Sequence, residues 1–301
     1  MSDPALRRRA ALAASVTAAA FLCGPACKGR AGRPDDGWEI LALSYGASPG
    51  MARKHLIAGG GAERTPMAWY VWLLRRGDDV VLVDTGFDDA ERAGAWQISG
   101  FRTATAALAA VGVAPADVDL VVLTHPHWDH AGGLSQFPRA QVHVRKADLD
   151  WFERRVAEGQ ADRSGLAAGD LAAIHAARHG GRLVLDGEGD VTLLPGVTLA
   201  PGGGHTPGAQ WLIVRAYGGA TVVLASDNSY LYDNAATGTP IGSAASRKAN
   251  VEALRRMTRT ASSPDLVIPG HDVRVLDRFP TVAPGVVRIA GPPGRPSLGA
   301  P

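Results

Sequence analysis

Residues 118–130 read Val-Asp-Leu-Val-Val-Leu-Thr-His-Pro-His-Trp-Asp-His, an apolar run that ends in a cluster of polar donors. Val118 to Leu123 has the character of a strand. His125, His127, Asp129 and His130 follow it within six positions. Imidazole and carboxylate are the side chains that bind borderline transition metals such as zinc. A strand that stops at such a cluster predicts a rigid element delivering ligands to a site.

Working outward, three more segments carry the same chemistry. His205 lies in Gly204-His-Thr-Pro-Gly208, His271 in Ile268-Pro-Gly-His-Asp272, and Asp227 directly behind the strand-like Thr221 to Ala225. With the first cluster included, five of the chain's nine histidines fall in these places. The set His125, His127, His205, Asp129, His130, His271 and Asp227 is too large for one tetrahedral ion. It suits two ions that share a bridging carboxylate. Gly202-Gly-Gly204 lacks a following Lys-Ser/Thr and is no phosphate loop; it lets the backbone bend toward His205.

The rest of the body alternates strand and helix signals. Strands are predicted at Trp38 to Tyr45, at Ala68 to Leu74 and Val80 to Val83 as a hairpin, and at Gln141 to Arg145. Further strands are expected around Val191 to Leu199, at Trp211 to Ala216 with Thr221 to Ala225, and at Leu266 to Ile268. Helices are predicted at Thr103 to Val111, Ala147 to Ala157, Leu171 to Arg178 and Ser246 to Arg259. Hairpins exclude a purely parallel sheet, and donors spread from 125 to 271 argue for one domain.

The chain has 301 residues, 46% hydrophobic and 20% charged, which is an ordinary globular composition. Net charge is +2, and no basic block lies outside the N-terminus, so no nucleic-acid partner is expected. Arg7-Arg-Arg9, the uncharged run Ala10 to Leu22 and Cys23-Gly-Pro-Ala-Cys27 make residues 1–27 an expected export signal, too short to span a bilayer. The arginines also fit a twin-arginine route, and Cys27 offers a position for a lipid anchor. Periplasmic, lipid-anchored or secreted localisation in a bacterium is the expectation. Residues 28–37 read as a linker, 38–283 as the hydrolase domain and 284–301 as a Pro- and Gly-rich tail. Both cysteines lie before Lys28, so a metal site in the body must use nitrogen and oxygen donors.

Asp84-Thr-Gly86, His125-x-His-x-Asp-His130, Gly204-His-Thr-Pro-Gly208, Asp227 and Gly270-His271 together resemble the metallo-β-lactamase superfamily of binuclear hydrolases, in order and spacing, from Trp38 to about Asp272. The resemblance implies an α+β chain folded as a four-layer αβ/βα sandwich, with the site at one edge of two packed sheets. It implies that His125, His127 and His205 hold a first metal and Asp129, His130 and His271 a second. Asp227 would bridge them together with a hydroxide. Zinc is the default ion; iron, manganese or cobalt also suit these donors. Asp84 is expected behind the ligands, holding a histidine in the correct tautomer.

Within that superfamily the segment Ser226-Asp-Asn-Ser-Tyr230 is most like the quorum-quenching lactonases that act on N-acyl homoserine lactones. The likeness implies that Tyr230 donates to the lactone carbonyl while the bridging hydroxide attacks. Asp129 would return a proton to the ring oxygen. Position 209 departs from the family's His-Thr-Pro-Gly-His, since it is Ala209. A lactone or ester would be the small-molecule substrate, and the chain a monomer or homodimer. The alternative is a glyoxalase-II-like thioesterase or another hydrolase of the fold, including one acting on β-lactams. Against the first stands the short segment after His271, and against the second the ligand set. Met51 and Leu56 are expected to wall an acyl chain. Trp128 is expected at the mouth of the site or beneath it, and His55 on a surface loop. His143 should be a packing or surface histidine, and His175 and His179 lie on a solvated helix face.

Overall fold

In a computed structural model of the chain, residues 37–161, 165 and 167–292 are described. The expected export signal 1–27, with Cys27, lies outside them, as do nearly all of the linker and residues 293–301 of the tail.

The strands are β1 (Glu39–Ala52), β2 (Arg64–Arg76), β3 (Asp79–Val83), β4 (Leu120–Val122), β5 (Gln141–Arg145), β6 (Leu183–Asp186), β7 (Val191–Leu194), β8 (Val197–Pro201), β9 (Gln210–Arg215), β10 (Thr221–Ser226), β11 (Val267–Pro269), β12 (Thr281–Ala283) and β13 (Val286–Ala290). The α-helices are α1 (Arg53–Leu56), α2 (Ala90–Ala95), α3 (Ala104–Ala109), α4 (Trp128–Ala131), α5 (Lys146–Ala157), α6 (Ala168–His179), α7 (Tyr232–Thr237), α8 (Arg247–Thr260) and α9 (Arg274–Arg278). Among the described residues one sheet runs β12-β13-β1-β2-β3-β4-β5-β6 and the other β11-β10-β9-β8-β7. Strands β3 to β6 pair in parallel and β1 to β3 antiparallel, so the large sheet is mixed as expected.

The alternation along β2 explains the layering. Trp69, Val71 and Leu73 join a core that contains Ala104 and Leu108 of α3, Leu149 and Phe152 of α5 and Ile174 of α6. Their neighbours Ala68, Tyr70, Trp72 and Leu74 point the other way, onto Leu199, Leu212, Val214 and Leu224 of the second sheet. A strand buried on both faces must be apolar at every position, which is why residues 67–74 show no polar alternation. The outer face of the second sheet, with Trp211, Val223 and Val267, is covered by Ala253, Leu254 and Met257 of α8. Those three, with Asn250, follow the i, i+3, i+4, i+7 spacing of a helix with one buried stripe. Ser246 caps α8 by accepting from the Ala249 N–H. Helix, sheet, sheet and helix thus form four layers, the α+β sandwich that the resemblance implied.

Two boundaries differ from expectation. Strand β1 runs to Ala52, bent by irregular register beyond Ser44 and again beyond Ser48. The domain does not stop at residue 283. β13 pairs antiparallel with β1, and Val286 and Val287 are buried, so this part of the expected tail is a strand of the large sheet. Proline and glycine at 284 and 285 make the turn from β12, and the alternating apolar residues behind them find an open strand edge. Among the described residues no helix is long and apolar enough to cross a membrane.

Candidate active site

The seven donors converge where strands of both sheets end. His125 follows β4, Asp227 follows β10 and His271 follows β11, while His205 sits in the loop after β8. His125 and His127 are two apart in the loop after β4, and their ligand atoms join the same group. Asp129 and His130 then lie on the single turn of α4. This switch from loop to helix is what the spacing His-x-His-x-Asp-His encodes.

The donors fall into two groups. The ligand atoms of His125, His127, His205 and Asp227 lie within 4.8 Å of one another, as do those of Asp129, His130 and His271. His127 Nδ1 is 2.8 Å from His125 Nε2 and 2.9 Å from His205 Nε2. Asp227 stands between the groups. Its Oδ2 is 3.3 Å from His205 Nε2, and its Oδ1 is 3.3 Å from His130 Nε2 and 3.1 Å from His271 Nε2. Asp129 Oδ2 closes the second group at 3.3 Å from His130 Nε2.

Glycine permits this close approach. A Cβ at Gly270 would lie 2.9 Å from Asp227 Oδ1, and one at Gly204 would lie 2.5 Å from the Asn250 Cβ. Both distances are shorter than packed carbon atoms tolerate, so the loops carrying His271 and His205 depend on a missing side chain.

Behind the donors, the Asp84-Thr-Gly86 motif acts as a bracket. Asp84 is fully buried with a left-handed backbone, φ 61°. Its Oδ1 accepts from the Thr124 N–H at 2.7 Å, and its Oδ2 lies 2.8 Å from His130 Nδ1. That contact points His130 Nε2 at the site. Thr85 donates from both its N–H and its hydroxyl to the His130 carbonyl. His271 Nδ1 similarly meets the Ala68 carbonyl at 3.0 Å. Asp148 of α5 holds the His205 loop, accepting from the Thr206 hydroxyl at 2.8 Å and the Gly208 N–H at 2.6 Å. Ala209 itself is buried.

The electrostatics of the two groups differ. Burial, and then the neighbouring imidazoles, push His125 well down; burial also lowers His205 and takes His127 to about 3. All three therefore favour the neutral form, the form in which an imidazole nitrogen can bind a metal. Burial opposes charge on His130 and His271 too, but the carboxylates of Asp129 and Asp227 outweigh it and raise both. Against the same burial penalty, His130 and His271 hold Asp227 well below the usual carboxylate range. The second group therefore attracts positive charge. His130 Nε2 and Asp227 Oδ1 are buried without a hydrogen-bond partner. Buried polar atoms of that kind require a partner, and a divalent cation on nitrogen and oxygen donors fits both. The His/Asp cluster is metal-binding in its chemistry.

Tyr230 reaches the same space. Its hydroxyl is 3.3 Å from His205 Nδ1 and 3.1 Å from Ser243 Oγ. Burial, with Asp227 nearby, raises its pKa well above the usual value. A cavity of about 370 Å³ opens over the donors, bordered by Met51, His55, Trp128, Asp129 and Tyr230 among others. Leu56 does not border it but is buried below, against Tyr230 and Met67. Trp128 both borders the cavity and packs on Trp69 and Phe87. His143 is a packing histidine, 3.1 Å from Asp186. His175 pairs with Glu153 on the surface side of α6, and His179 is exposed.

Sequence reasoning missed Ser243, Asp148, Trp96 and Trp151. Trp96, directly after α2, and Trp151, on α5, border the cavity far from any donor motif. A single tryptophan on an amphipathic segment carries no signal that separates core from cavity.

Residues 64–271 match the model of the metallo-beta-lactamase superfamily. An N-acyl homoserine lactonase from Bacillus sp is 27% identical over 169 residues, covering 54% of this chain and 59% of that protein. The N-acyl homoserine lactonase AttM of Rhizobium radiobacter is 30% identical over 171 residues, covering 54% and 61%. The chain thus spans about three-fifths of the length of these curated relatives. The structure of AidC, a dizinc quorum-quenching lactonase, superimposes with a TM-score of 0.60 at 16% identity, covering 87% of this chain and 97% of that one. Donor set, sandwich and family match agree: this chain is a member of the metallo-β-lactamase superfamily, a hydrolase fold, and is related at low identity to N-acyl homoserine lactonases.

Proposed function

We propose that the protein is a binuclear metal-dependent lactonase that opens the ring of N-acyl homoserine lactone-like substrates. The observation that carries this reading is the orientation of Asp227, whose two carboxylate oxygens each face a different donor group. A first ion would be held by His125, His127 and His205, a second by Asp129, His130 and His271, with Asp227 shared. Zinc suits nitrogen and oxygen donors of this kind, and the fold's likeness to a dizinc lactonase supports two ions. When bound, such ions supply a water acidified to a pKa of about 7 and positions that polarise oxygen.

The chain's own groups do the rest. Tyr230 keeps its proton at neutral pH and presents the hydroxyl beside His205, where it can donate to the carbonyl oxygen as negative charge develops. Asp129 borders the cavity and is ionised despite its burial, because His130 and His271 hold it below the usual range. It can accept the proton of the attacking water and release it to the far more basic ring oxygen. The Tyr45 hydroxyl donates to the Asp129 carbonyl at 2.8 Å and keeps that turn in place.

The test is a panel of lactones, thioesters and β-lactams given to the metal-loaded protein. The expected result is the highest kcat/KM on N-acyl homoserine lactones, with about two ions per chain. A preference for S-D-lactoylglutathione or for penicillins would overturn the substrate assignment.

A further inference from the structure

The cavity above the donors has an unusual wall. Trp69, Trp96, Trp128 and Trp151 all border it, with Met51 and Met67 among the remaining apolar side chains. Three of the indoles brace one another. Trp128 lies 5.4 Å from Trp69 and 5.6 Å from Trp96, ring centre to ring centre, tilted by 40° and 38°. Trp69 meets Trp96 edge-on at 5.6 Å. Phe87 packs edge-on against Trp128 at 4.9 Å, and the Arg92 guanidinium lies 5.1 Å from the Trp128 ring centre. Trp151 is fixed edge-on against Phe152, which in turn abuts His127.

The wall begins at the donors themselves. Trp69 lies 5.1 Å from the His271 ring, nearly perpendicular to it, and Trp128 sits in the chain between His127 and Asp129. Part of the space open to a substrate held at the donor groups is therefore bounded by indole.

We propose that this wall selects lactones whose N-acyl group carries an aromatic ring over those with a straight alkyl chain of the same carbon number. This rests on the lactone reading above. Two physical effects act in the same direction. Aromatic pairs in tilted or edge-to-face contact gain more than their buried area supplies. A phenylacetyl group also has fewer rotatable bonds to immobilise than an octanoyl chain. Three of the tryptophans buttress one another and Trp151 packs on Phe152, an arrangement that favours a rigid ring over a flexible chain.

The experiment compares N-phenylacetyl with N-octanoyl homoserine lactone on the metal-loaded protein. It measures kcat/KM, and it measures in parallel the affinity for the two corresponding γ-lactam analogues by quenching of tryptophan fluorescence. The expected preference for the phenylacetyl compound is about tenfold in both readouts, the size of one or two aromatic contacts. Trp96→Leu and Trp151→Leu should each reduce the ratio at least threefold, and Trp96→Phe should restore most of it. Equal or reversed preference in the lactam affinities overturns the inference and leaves the lactonase reading standing. Phenylacetyl selectivity in lactam affinity without turnover of either lactone supports the wall and overturns the lactonase reading instead.

Discussion

At the scale of single residues, the site separates groups that face substrate from groups that aim them. In the proposed mechanism Tyr230, which borders the cavity, is of the first kind. Tyr230→Phe removes only the hydroxyl, and the ring stays among Leu56, Met67 and Ile241. kcat should fall by about two orders of magnitude, the usual cost of losing one oxyanion donor, while elemental analysis finds the metal content unchanged. Unaltered turnover would remove Tyr230 from the mechanism. Asp84 is of the second kind. It touches no space that substrate can reach, yet it fixes both Thr124 and His130. Asp84→Asn should weaken the Asp129, His130 and His271 group by roughly 10- to 100-fold in metal affinity. The ratio of ion to protein should then drop toward one, with the His125 group retained. Equal loss from both groups would contradict the assignment of Asp84 to His130.

At the scale of elements, two connections outside the donor motifs hold the site together. One is Asp148 on α5, which clamps the loop carrying His205. Burial raises its carboxyl to about 7, against an ordinary value of 3.8. Between those values the folded chain binds a proton that the unfolded chain has lost, so stability falls as pH rises through the window. The limit is about 4 kcal/mol for three pK units. Asp148→Asn cannot ionise. Its melting temperature relative to the natural chain should climb steadily from pH 4 to pH 7, and a constant difference would refute the raised value. The other connection is β13. It covers the open edge of β1 and buries Val286, Val287 and Ile289. Deleting residues 286–292 should cost about 6 kcal/mol, taking roughly 2 kcal/mol for each of the three buried aliphatic side chains. Chemical denaturation of the shortened chain reads that loss directly.

At the scale of the whole molecule, the site is a clasp between two sheets. His125, His127, Asp129 and His130 come from the end of a strand in the large sheet, and His205, Asp227 and His271 from loops of the small one. Direct bonds cross the same seam. The Gln210 N–H donates to the Thr124 carbonyl, and the Tyr70 hydroxyl donates to the Asp272 carbonyl. In the proposed binuclear site, ions held by both halves would bind the folded state alone, so a chelator should lower the melting temperature. The expected loss is about 2.7 kcal/mol for each ion present at 100 times its Kd. A melt unaffected by chelation would mean that no ion links the sheets.

The reading of residues 118–130 depended on local spacing, and local spacing is what a strand, an extended loop and one helical turn preserve. The donor chemistry, the strand at Gln141 to Arg145 and the amphipathic helix near 247–260 were therefore legible in the sequence alone. So was the strand at Ala68 to Leu74, though its burial on both faces emerged only from the two packed sheets. Only the tertiary structure decided which oxygen of Asp227 faces which group, that Asp148 grips the His205 loop, and that residues 286–290 close the sheet. It alone brought Trp69, Trp96, Trp128 and Trp151 to one wall. Each of these relations joins side chains dozens or hundreds of positions apart. The free energy of such contacts depends on distance and burial in the folded state, and no periodicity in the chain records either.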